Sequence, residues 1–485
     1  MTPESEGTSV DTALDLARWQ FGITTVYHFL FVPMTISMAF LVAIMQTAWW
    51  RTGNEKWLRL TRMFGKLFLI NFAMGVVTGI VQEFQFGMNW SSYSRFVGDI
   101  FGAPLAIEGL LAFFLESTFL GLWIFGWDRL KPGLHLMTIW IAAIGTALSA
   151  YFILAANSFM QNPQGFVMNE ERGRAELNDF MAVLTNKVAL ITVPHTLFAA
   201  FMVGGGFVAA VAVWHLIRRP DRDADAFRSA AKLGAITLLI AGVGVIGTGD
   251  IQGKIMTEVQ PMKMAAAEAL YEDSDGCAPF SVLTIGTLDG SKPIFSIEVP
   301  CVLSQLATGS FDGKVRGINS LNAEYAKTYA DSGITDFSPN IPVTYWSFRL
   351  MMGLGFLSMA AGAWILWALR KGRVPVPGTR STRLLLWTAL VLPLLPLFAN
   401  SFGWIFTEMG RQPWVVFGLM PTEAGVSPSV SAAQVWTSMI GFTLLYGALA
   451  VVEVRLLLRF IGKGLPDADP PEPNDDSDAP LAFAY

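Results

Sequence analysis

Charge is scarce in this chain. Asp, Glu, Lys and Arg together make up 15% of its 485 residues, against 53% hydrophobic residues. A soluble enzyme of this size carries roughly a quarter charged residues, so this balance excludes an ordinary globular protein and places the chain in lipid. Histidine and cysteine are also sparse, with 4 and 2 copies, too few for a zinc framework or a disulfide-rich scaffold. No basic n-region precedes the first apolar run, so no cleavable leader is expected. Matching half-repeats with interrupted helices, the mark of many transporters, are not evident either. The net charge of -5 says little, and no nucleic-acid partner is expected.

What is present is a series of apolar windows of about 20 residues, each able to span a bilayer. Nine can be placed, centred near Thr35, Val76, Phe114, Ala147, Met202, Leu239, Leu354, Val391 and Thr443. The fold class is therefore an all-α polytopic membrane protein. Basic residues collect on alternate connections: Arg51 to Lys66, Arg129 and Lys131, Arg218 to Lys232, Arg370 to Arg383, and Arg455 to Lys463. The positive-inside rule then sets the amino terminus outside and the carboxyl terminus in the cytoplasm. Four regions follow: residues 1–249 with six spans, 250–342 as an outer segment, 343–463 with three spans, and 464–485 as a Pro-rich acidic tail expected to be disordered.

The segment from Asp250 to about Pro342 is far longer than a usual connection. It holds both cysteines, Cys277 and Cys301, on the oxidising side, where a disulfide is permitted. Two unpaired thiols are the blander alternative.

Polar side chains at membrane depth carry the functional signal, because a charge there costs at least about 2.5 to 3.5 kcal/mol and usually marks a proton path, an ion path or a cofactor. Glu108 and Glu116 share the third span, Glu116 about 12 Å deeper by helix rise. His28, His195, Met351 and Glu408 fall in the outer halves of other spans, in the same leaflet as Glu108. A lone His or Met is more often packing, a reading that suits the interfacial His135 and His215, and Glu408 beside Arg411 reads equally well as a plain ion pair. Two His, two Glu and a Met at similar depth point instead to haem, whose iron accepts such ligands. The run Gly204 to Gly206 allows close approach of a helix or a macrocycle. Arg349, beside Met351, is placed to pair with a haem propionate.

The stretches WQFGITTVYHFLFVP (19–33), GAPLAIEGLLAFFLES (102–117), ANSFMQNPQG (156–165), FRLM (348–351) and GRQPW (410–414) resemble subunit I of the cytochrome bd-type quinol oxidases, in the family's order and from first span to last. The resemblance implies a copper-free quinol:oxygen oxidoreductase with haems b558, b595 and d, quinol as substrate, electron transfer from b558 to b595 to d, and proton uptake from the cytoplasm. By that resemblance His195 and Met351 are the axial ligands of b558. His28, Glu108 and Glu408 belong to the two high-spin haems, with the assignment between them open, and Trp404 and Arg411 stand among the cofactor-binding residues. QPMKMAAAEALYE matches the quinol-binding loop, with Lys263 and Glu268 at its Lys and Glu positions. Glu116 and Ser149 are placed as proton relays toward Glu108. The resemblance further implies a homologous second membrane subunit, small single-span accessory peptides, and residence in a bacterial plasma membrane, and it leaves ubiquinol and menaquinol open. The rival readings are a dihaem cytochrome b passing quinol electrons elsewhere, which needs two bis-ligated haems and no open iron, and a non-enzymatic proton-conducting transporter. A chlorin band and a carbon monoxide shift in the reduced spectrum separate them.

Overall fold

The computed structural model describes residues 3–220, 222–287, 290–373, 375–376 and 378–467. The acidic tail lies outside the described residues from 468 onward. The long helices are α1 (Pro3–Phe29), α2 (Val32–Thr52), α3 (Glu55–Met88), α4 (Ser91–Ile107), α5 (Phe114–Phe125), α6 (Pro132–Gln161), α7 (Lys187–Arg218) and α8 (Ala224–Val259). A short α9 (Pro261–Glu268) follows, then α10 (Ile341–Ala368), α11 (Arg380–Val391), α12 (Leu394–Met409) and α13 (Ala432–Lys463).

Among the described residues, eight helical stretches are long and apolar enough to cross a membrane, beginning with α1 and α2 as one stretch, Ala13–Thr52. The first eight windows read from the sequence fall on these eight. The ninth, around Thr443, falls in α13, a 32-residue helix outside that set, with Glu453, Arg455, Arg459 and Lys463 in its second half. Its start is fixed by a capping box, Ser431 with Gln434.

Two breaks shape the spans. Between α1 and α2 the chain makes i→i−3 bonds at Leu30 and Phe31, just before Pro33, which has no N–H to continue the ladder. Between α4 and α5, residues Glu108–Phe113 form a 6-residue π-helix. Pro104, one turn earlier inside α4, has no N–H to give to the helix ladder, and π segments are frequent near functional positions.

The main core runs through α2, α3, α6, α7, α8 and α10, with Met38, Leu41, Phe64, Leu67 and Leu238 fully buried. Small residues close the α7–α8 contact. A Cβ on Gly205 would stand 2.7 Å from the Gly234 carbonyl and 2.8 Å from the Leu238 nitrogen, so these backbones pack with no room for a side chain.

Helix α8 continues past residue 250 to Val259, helped by the Lys254–Asp250 ion pair one turn apart at 2.6 Å. Beyond α9 come an antiparallel hairpin, β1 (Phe280–Gly286) with β2 (Pro293–Val299), and short helices at Val302–Thr308 and Ile318–Thr328. Cys277 and Cys301 are joined by a disulfide at the base of the hairpin.

Candidate cofactor and substrate sites

The four histidines divide by how their ring nitrogens are used. The His28 Nδ1 lies 2.9 Å from the Thr78 hydroxyl on α3, and that hydroxyl donates to the Met74 carbonyl one turn back. Its only proton is therefore spent, so Nδ1–H donates to it and Nε2 keeps a free lone pair. His195 repeats the arrangement: Nδ1 lies 3.0 Å from Thr248 Oγ1 on α8, which donates to the Gly244 carbonyl. In both cases a glycine follows the threonine, and a Cβ there would meet the ring, at 3.2 Å for Gly79 and 3.3 Å for Gly249. His135, in contrast, is bound at both nitrogens, by Gln46 and the Trp123 carbonyl. His215 donates to the Ile461 carbonyl and stacks on Phe227 at 4.1 Å. Those two are packing residues.

A metal-ligating histidine typically donates its second nitrogen to a fixed acceptor; His28 and His195 do so to threonines, and His215, which does so to a carbonyl, has its ring stacked face to face on Phe227. Met351 on α10 faces Gly403 of α12, where a Cβ would come within 2.9 Å of the sulfur. Next to Gly403, the Trp404 ring stacks on Phe29 at 5.2 Å, and its indole N–H is buried without a partner. Glu408, one turn on, accepts from Asn157 Nδ2 at 2.9 Å and from Arg411. Arg411 keeps one Nη1 buried and unpartnered. Free imidazole lone pairs, orphaned buried donors and glycine-lined approaches are together the donor set and cradle that a haem with anionic propionates requires.

The carboxylates of the third span meet α6. Ser149 Oγ donates to Glu108 Oε1 at 2.6 Å. One turn earlier, Gly145 lets α6 approach so closely that a Cβ would stand 3.2 Å from that of Glu116. One face of α6 therefore touches both glutamates. Glu108 opens the π segment, so the regular rotation of a straight α-helix does not relate it to Glu116. Glu83 on α3, which the sequence reading passed over, lies close enough to Glu108 for their charges to interact. Its signal was available: an isolated carboxylate in an apolar run, four residues beyond Gly79.

The structure shows a partner for Arg349 that the sequence reading did not name: its guanidinium forms a buried fork with Glu268, at 2.6 and 3.3 Å, while Nε donates to the Ser281 carbonyl at 2.6 Å. The rings of Phe280 and Tyr345 flank it at 4.6 Å. Three of its donors are thus spent on the 250–342 segment, in the forked geometry that a guanidinium and a carboxylate favour. Burial pushes the Glu268 carboxyl up from 4.5 to about 6, with Arg349 pulling the other way. Lys263, on the same short helix, is 2% exposed and donates to Gln161 at the end of α6. Burial, reinforced by Arg411, holds its ammonium well below the usual lysine range, and Glu408 opposes the shift. Lys263 and Arg411 line one cleft with Gln260, Tyr325, Phe337 and Trp414.

Fold and site together define a helical membrane protein of the haem-binding, redox class. Residues 16–465 match the cytochrome bd terminal oxidase subunit I family, and the chain belongs to that family. It is 47% identical to cytochrome bd ubiquinol oxidase subunit 1 of Bacillus subtilis, over 93% of this chain and 94% of that one. Identity is 36% to the cytochrome bd-II ubiquinol oxidase subunit 1 of Escherichia coli, over 93% and 96%. The fold is similar to that of the bd oxidase from Geobacillus thermodenitrificans, with a TM-score of 0.82 at 28% identity, covering 93% of this chain and 98% of that one.

Proposed function

We propose that the chain is the haem-bearing subunit of a terminal oxidase in a bacterial plasma membrane, oxidising quinol at its outer segment and drawing protons for oxygen reduction from the cytoplasm. Its family makes it part of a quinol:oxygen oxidoreductase that works with a second membrane subunit. The observation carrying the reading is the pair His28 and His195, each with Nδ1–H fixed by a threonine, the ring edge against a glycine and Nε2 left without a protein partner. His195 and Met351 would hold haem b558, and His28 with Glu108 or Glu408 the high-spin haems b595 and d, with Trp404 and Arg411 donating to their anionic groups. Haem, when bound, supplies one-electron redox centres and an open iron for O2.

The chain's own residues handle substrate and protons. Glu268, buried and ionised at neutral pH, accepts a proton from a quinol hydroxyl, and Arg349 fixes its orientation. Lys263 orients the quinol oxygens from the adjoining cleft. Ser149, receiving a proton from the Glu116 side, passes its own to Glu108 along the existing 2.6 Å hydrogen bond.

The test is spectroscopic. In the purified complex, His195→Ala and Met351→Leu each remove the low-spin b-haem band while the high-spin and carbon monoxide signals persist. An unchanged low-spin band in either variant overturns the ligand assignment.

A further inference from the structure

The β1–β2 hairpin is built inside out. Its cross-strand pairs Ser281–Glu298 and Thr284–Ser296 share one face, on which Ser281 and Thr284 are buried against the protein and Glu298 is exposed. There the Ser281 hydroxyl bonds Thr284 at 2.6 Å and the Tyr345 hydroxyl at 2.7 Å. The pairs Leu283–Ile297 and Ile285–Phe295 lie on the other face, with Ile285, Phe295 and Ile297 about half exposed. A bulge at Val282, between Ser281 and Leu283, sets this register. A strand facing water shows the reverse alternation, and an exposed apolar edge in water is an aggregation hazard. Polar-in and apolar-out is the pattern of strands that face lipid.

The depth of the hairpin agrees. Tyr345 and Arg349, which hold Ser281, lie one and two turns into α10, about 6 and 12 Å from its start. Helix α10 has 28 residues and is about 42 Å long, against a hydrocarbon core of about 30 Å. The inner strand therefore lies beside the interfacial turns of a span rather than above them. On the same span Trp346, Leu350 and Phe356 are exposed apolar side chains.

We propose that the hairpin rests its outer face, Ile285, Phe295, Ile297 and Val299, in the outer leaflet of the bilayer, anchoring the extramembrane segment to lipid. Both native cysteines are disulfide-bonded and none is free, so a single added cysteine can carry a nitroxide label. The experiment places labels at Phe295→Cys, Ile297→Cys and, as an aqueous control, Ser310→Cys, in the whole oxidase complex reconstituted in liposomes. Haem absorbance verifies assembly, and either hairpin position alone suffices. The expected result is stronger relaxation by O2 than by a water-soluble nickel chelate at 295 and 297, and the opposite order at 310. Nickel-dominated relaxation at the hairpin positions puts the face in water and overturns the proposal. Protection from both agents means that the second subunit or another protein covers it, and overturns it equally.

Discussion

At the scale of single residues, Glu108 and Glu116 differ by their partners. Glu108 accepts the Ser149 hydroxyl, whereas Glu116 packs against Gly145 one turn away. Glu116→Gln retains size and hydrogen bonding but cannot carry a proton. Groups that transfer protons contribute about 10²- to 10⁴-fold, so oxygen uptake should fall by roughly two orders of magnitude with haem spectra nearly normal. Glu108→Gln should disturb the high-spin spectrum as well. Full oxygen uptake by Glu116→Gln removes it from the obligatory path. Glu268 makes a second residue-scale prediction, in pH. Its raised value means that the folded protein holds this proton more tightly than the unfolded chain. That stabilising contribution is complete below about 4.5 and lost as pH rises through about 6. Proton acceptance from quinol runs the other way, since it needs the carboxylate. Quinol oxidation should therefore drop as pH falls through 6, and Glu268→Gln should be slow with no acid limb. An identical acid limb in the Gln variant assigns the titration elsewhere.

At the scale of elements, apolar run length placed the spanning helices, because the burial of a span is decided by its own composition. The π segment was not legible. Pro104 signals a disturbance, but whether a helix kinks or widens depends on α6 packed against it, and nothing local states that. The Arg349–Glu268 fork was hidden for the same reason: the two residues are joined only by the return of the chain after the hairpin. His28 and His195 were told from the interfacial His135 and His215 by depth alone, whereas the partners that fix their rings, Thr78 and Thr248, lie on other elements. The disulfide belongs to this scale too. It closes the hairpin that carries Ser281, and Ser281 holds Arg349. A cross-link over such a loop is worth about 3 to 4 kcal/mol on the chain-entropy model. Reduction should then lower quinol-driven turnover more than it alters the haem bands. Equal loss of both would mean that the bond supports the helix bundle rather than the outer segment.

At the scale of the whole molecule, the direction in which the chain crosses the membrane decides whether the chemistry can store energy. The proposed quinol residues Lys263, Glu268 and Arg349 lie in or beside the 250–342 segment, whereas the connections rich in Arg and Lys lie at the opposite ends of the spans. If those basic connections face the cytoplasm, protons from quinol leave outside and protons for oxygen reduction enter from within, past Glu116. The reverse orientation puts the quinol segment on the cytoplasmic side and defeats this separation. Single cysteines report the orientation cleanly, because the chain has no free thiol of its own. Ser310→Cys in the outer segment and Ser381→Cys at the start of α11 are both exposed positions. In intact cells a membrane-impermeant maleimide should label position 310 and leave 381 untouched until the membrane is opened. Labelling of 381 in intact cells inverts the topology, and with it the proton route assigned to Glu116, Ser149 and Glu108.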